Sequence, residues 1–194
     1  MFQDLDATLA ALIASELSLP NVAVSFATPD DQFPPSGVSL PAVDLFLYDV
    51  QENLELRRAE WIVEQHDDGA ASRRRPPVHV NCSYLVTAWP SDSSPNPSQD
   101  EHRLLGEVMK VLLRHSRLPD NMLQGELAGQ EPPLRAKVLR ESHLQSLGEF
   151  WQAMGGKPKP TLHYTVTISV DISTPEELGV VVSEKVTTLG PMAR

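Results

Sequence analysis

The residues able to do chemistry in this chain are six histidines, one cysteine, 26 carboxylates and a run of arginines. Their spacing decides what they can do. The histidines are His66, His79, His102, His115, His143 and His163. No two lie three to five residues apart, so none forms the local pair that holds zinc from one helix face. His79 and Cys82 are the one close His/Cys pair. In an extended segment these two positions face opposite sides, so they do not share a metal. Cys82 reads as a small buried hydrophobe. His163, on the polar face of its segment, reads as a surface or hydrogen-bonded residue rather than a ligand. Asp30-Asp31 and Asp67-Asp68 are neighbours in turn-forming stretches. Adjacent side chains diverge, which suits turn chemistry better than a paired acid and base. The phosphate-binding patterns G-x-x-x-x-G-K-S/T and G-x-G-x-x-G are missing, as are H-E-x-x-H and G-x-S-x-G. These residues predict a binding or structural module, not an enzyme, with no catalytic residue, cofactor or metal.

What remains is a contact chemistry. Arg57, Arg58, Arg73, Arg74 and Arg75 flank Trp61 in a stretch that reads as one hairpin. Arginines beside an exposed aromatic are typical of contact surfaces, although Trp61 also fits a place in the core. The arginine run could meet phosphate. In a chain of net charge −10 it reads instead as half of a charge-complementary contact or as a solvated hairpin edge. The same net charge repels phosphate backbones and anionic lipid surfaces, so neither nucleic acid nor membrane is an expected partner.

The elements that must position these residues follow from periodicity. The 194 residues, 41% hydrophobic and 22% charged, suit a globular domain able to bury a core without disulfides. A single cysteine makes no internal disulfide. Met1 to Asp6 lacks the basic and apolar regions of a signal peptide, and no apolar run approaches the ~20 residues of a bilayer span, so assembly in the cytoplasm is expected. Residues 5–17 predict a helix with Asp4 as N-cap, stopped by Pro20. Val22–Phe26 and 42–50 read as strands, the second covered on both faces. Residues 58–75 read as a charged hairpin, turning at His66–Gly69. Residues 78–89 alternate, with Val78, Val80, Cys82, Tyr84 and Val86 on one face. Ser98-x-x-Glu101 and Ser146-x-x-Glu149 are capping boxes that announce two further helices. Residues 161–172 alternate again, and Val180–Leu189 is a last extended segment. The fold class is therefore α+β, a mixed or antiparallel sheet with packed helices. We divide it into a domain over 1–172 and an extended arm over 173–194.

Several of these stretches, in order, resemble one family. They are Asp44–Val50, Glu52–Arg58, Arg73-Arg74-Arg75-Pro76-Pro77, Cys82–Trp89, Glu101–Gly106, Leu123–Leu127 and Glu149-Phe150-Trp151. Together they are similar to the amino-terminal domain of the cap protein of extracellular contractile injection systems, of the virulence-cassette and antifeeding-prophage kind. The resemblance spans residues 1 to about 172. It implies a structural role without catalysis: a homo-oligomeric cap, as a six-fold ring, on the inner tube and contractile sheath of a phage-tail-like particle that can leave the cell. It also implies a phage tail-terminator-like fold. Such a terminator needs a matching edge on one side, so the tail residues Val180, Val182, Glu184 and Val186 are candidates for strand addition to a neighbour. Completion of the chain's own sheet fits that tail equally well. Two other readings remain: a phage head–tail joining or tail-completion protein, and a small enzyme or ligand-binding protein whose site assembles only in three dimensions.

Overall fold

The computed structural model describes residues 1–67, 70–130, 133–139, 144 and 146–180. Helix α1 (Phe2–Glu16) places Leu5, Leu9, Leu12 and Ile13 on one side and buries all four. It starts before Asp4, so Asp4 is not its N-cap. Asp4 lies in the first turn instead, its carboxylate 2.8 Å from the Met1 amine, where negative charge meets the positive end of the helix dipole.

Helix α2 (Pro97–Arg114) also starts earlier than its capping box implies. Asn96 takes the cap position and Pro97 the first helical one, where a proline's missing N–H costs nothing. Glu101 is thereby released from capping and pairs with Lys159 at 2.8 Å, both side chains largely buried. Helix α3 (Leu147–Ala153) does begin at its box: Ser146 Oγ accepts the Glu149 N–H at 3.2 Å.

Strands β1 (Ala23–Ser25), β2 (Ala42–Glu52), β5 (Val78–Trp89), β6 (Arg135–Val138) and β7 (Leu162–Val170) form the main sheet, in the order β1-β2-β5-β7-β6. β1 runs parallel to β2 and every other pairing is antiparallel. The fold is thus α+β with a mixed sheet. α1 and α2 cover one face, where Val43, Leu45, Tyr84, Val86, Tyr164 and Val166 join their leucines in the core. The opposite face is also covered around Ser83, Leu85 and Thr87, all buried. Phe33, from the loop before β2, stacks on Trp89 at 4.2 Å, and Phe150 of α3 lies 6.2 Å from Phe46. Polar side chains on this face pair with each other, as Ser83 and Thr165 do at 3.2 Å, because burying them unpaired would cost about 1–3 kcal/mol each. The cover over β2 is one-sided along the strand: Ala42–Leu45 are buried, whereas Val50–Glu52 are exposed.

A second sheet stands at the far end of β2 and β5. Strands β3 (Ile62–Gln65) and β4 (Ala70–Arg74) make the expected hairpin, with Ile62 opposite Arg74 and Val63 opposite Arg73. Its third strand is β8 (Glu176–Val180), antiparallel to β4. The tail therefore starts four residues earlier than its alternation suggests, and its described part completes the chain's own sheet. Val182, Glu184 and Val186 lie outside the described residues.

Candidate functional site

The five arginines and Trp61 are brought to one place by the small sheet. Trp61 directly precedes β3 and is 40% exposed, so it is not a core residue. The guanidinium of Arg73 lies 4.6 Å from its ring centroid and that of Arg75 5.4 Å, within reach of the ring's negative face. The hairpin register sets this up, because positions 61, 63, 73 and 75 share one face of the β3–β4 pair.

The arginines divide by partner. Arg73 bonds Glu176 of β8 at 2.9 Å. Arg74 bonds Glu64 across the hairpin at 3.1 Å and approaches Asp171 at 3.6 Å. Arg57 bonds Glu52 at 3.0 Å. Among the described residues Arg58 and Arg75 make no ion pair, and both are exposed. They line a cleft of about 270 Å³ with Glu52, Arg57, Trp61, Pro76, Pro77, His79 and Ile172. Glu52, His79 and Ile172 come from the ends of β2 and β5 and from just beyond β7, so the cleft lies where the two sheets meet. No local pattern in the sequence could have joined these three to the arginines. A wider groove of about 880 Å³ runs alongside and shares Arg58, Pro76, Pro77 and His79.

His79 is buried, and its Nδ1 lies 3.2 Å from Ser169 Oγ. Burial, and then the nearby Arg58 charge, hold its imidazole below the ordinary histidine range, so it is neutral at pH 7. The positive character of the cleft is carried by guanidinium alone. Val180, the last candidate with a described position, pairs with Ala70 at the end of β8.

The other candidate groups do not converge. Cys82 is buried on the helix-covered face, and burial pushes its thiol up to about 12, which leaves no thiolate at neutral pH. His163 lies beside Tyr48, with Nδ1 3.5 Å from the phenol oxygen. Asp30 accepts the Gln32 N–H at 3.0 Å, the turn role its sequence suggested. Among the described residues no group of three or more His, Cys, Asp or Glu could hold a metal ion. No described helix is long and apolar enough to cross a membrane.

Against known proteins, the sequence pattern of the Pvc16 N-terminal domain family matches residues 4–184. The solved structures similar to this chain include two over nearly all of its length. One is the sheath/tube terminator of an extracellular contractile injection system (PVC) in its extended state, at 26% identity and a TM-score of 0.71, covering 100% of this chain. The other is the tube-terminating cap of the anti-feeding prophage, at 28% identity and a TM-score of 0.67, covering 97%. This chain spans 64% and 61% of the length of those two proteins. None of the curated proteins matches it.

Proposed function

Since the chain belongs to the Pvc16 N-terminal domain family, we propose that it is a structural cap closing the distal end of the inner tube and contractile sheath of a phage-tail-like injection particle. The observation that carries this is the likeness, over 100% and 97% of the chain, to a sheath/tube terminator and a tube-terminating cap. The physics of the site agrees. Its chemistry is that of a contact, guanidinium and indole at a sheet junction, and the described residues that line it include no serine, threonine or cysteine. In this reading the protein turns nothing over, its partners are tube, sheath and further copies of itself in a six-fold ring, and it is assembled inside the producing cell. The small sheet, with β8 in it, and the tail segment over 173–194 are its contact region. The outer edge of β3 has no strand beside it among the described residues, and such an edge suits strand addition from a neighbour.

Deleting the gene in the producing cell and imaging purified particles by electron microscopy tests the role. Sheaths of uncontrolled length, missing sheaths or ragged distal ends are expected. Particles of normal length with a normal cap would overturn it.

A further inference from the structure

We propose that the Arg58–Trp61–Arg75 cleft is a socket for the acidic, proline-rich loop 90–96 of a second copy of this chain. The proposal rests on the ring reading above and names the contact that would build the ring. It starts from charge. Residues 57–75 hold five arginines against four acids, a net positive segment within a chain of net charge −10. Three of those arginines are paired inside their own molecule, and Arg58 and Arg75 are not. Arg75 lies over the exposed ring of Trp61, and Arg58 lines the same cleft. A carboxylate next to an apolar or proline side chain satisfies such a cleft, the acid on the guanidinium forks and the ring against the indole.

The chain carries that ligand at its other end. From Trp89 to Glu101 there are three acids and no lysine or arginine. Glu101 is held by Lys159, and Asp100 by Arg103 at 3.0 Å. Asp92 is exposed and has no hydrogen bond or ion pair among the described residues. Its loop is already folded: Ser94 N–H donates to Ser91 O at 3.0 Å, and Asn96 N–H donates to Ser94 Oγ at 3.1 Å. Pro95 projects into solvent beside it. A pre-formed loop loses little freedom on docking.

Geometry requires the second copy. The cleft sits at the start of β5 and the loop just past its end, about 36–40 Å apart at the rise of a strand. One molecule cannot join its own two ends. Complementary surfaces on opposite ends give a heterologous, head-to-tail contact, the kind that closes a ring when the rotation per copy allows.

The test places p-benzoylphenylalanine in place of Trp61, in the full chain in producing cells, and irradiates both purified particles and the purified chain. The expected product is a chain–chain adduct whose cross-linked peptide contains residues 90–96. Adducts to tube or sheath subunits, adducts to another segment of this chain, or no adduct in either sample would overturn the socket. Absence of the chain from the particles would instead sink the terminator reading, and the purified chain would still decide the socket. Charge reversal provides the second arm. Arg58→Asp and Asp92→Arg should each lower the adduct yield at least about tenfold, and the double variant should restore it. A double variant no better than the singles would count against the pairing.

Discussion

Asp44 lies in β2, fully buried, with Oδ1 accepting the Ala27 N–H at 3.1 Å and Oδ2 without a partner. Burial drives its carboxyl from 3.8 up to about 7, against the opposing hydrogen bonds from Ser25 and Ala27. A carboxyl whose folded value is raised binds its proton on folding between those two values. Its contribution to stability is whole below pH 3.8 and is lost as the pH rises through about 7. Asp44→Asn keeps an acceptor for the Ala27 N–H and cannot ionise. The stability of the parent protein relative to this variant should therefore fall by ~1–4 kcal/mol between about pH 4 and pH 7. Urea unfolding of both proteins across that range checks it. Asp4 titrates in the opposite sense, held down chiefly by the Met1 ammonium, and cancels in the comparison.

Among the elements, α3 is short and owes its place to its ends and to two aromatics. Ser146 caps it, Trp151 is buried, and Phe150 faces Phe46 of the sheet. Ser146→Ala should lower stability by about 1 kcal/mol through loss of the cap, read from the urea midpoint at unchanged slope. The small sheet is held differently. Its ion pairs are exposed, so each contributes at most about 1 kcal/mol, and β3 has no buried residue. Its ladder bonds should open at lower free energy than those of β5, which is buried from Cys82 to Ala88. Hydrogen exchange should show the Glu64 and His66 amides, which pair toward β4, losing protection well before those of Tyr84 and Val86. Equal protection would mean that the two sheets unfold as one.

For the molecule as a whole, α1 and α2 share one core with the five-stranded sheet. Leu9→Ala, at a position with no solvent exposure, should cost about 2–5 kcal/mol and shift a single cooperative transition, followed by tryptophan fluorescence and far-UV circular dichroism together. Divergence of the two signals would show that α1 docks independently.

Much of this was legible in the residues. The alternation of Leu162–Val170 and Val78–Trp89 and the leucine spacing of α1 and α2 announced strands and helices, because a face that must be buried repeats with the geometry of its backbone. Helix starts were less legible. Asp4 and Ser98 have the right types for caps, but Pro97 and the Met1 amine competed with them and prevailed. The sequence by itself determined the types of most elements, though not strand β6 in a stretch that reads as irregular, and with them the acidic balance, the absence of catalytic motifs and the kind of contact that arginines beside a tryptophan can make. Only the tertiary structure decided that Trp61 is exposed under Arg73 and Arg75, that Glu52, His79 and Ile172 share their cleft, and that β8 closes on β4. Periodicity records which face of an element is buried, whereas these facts depend on which distant strands meet, and pairing between segments a hundred residues apart leaves no local trace.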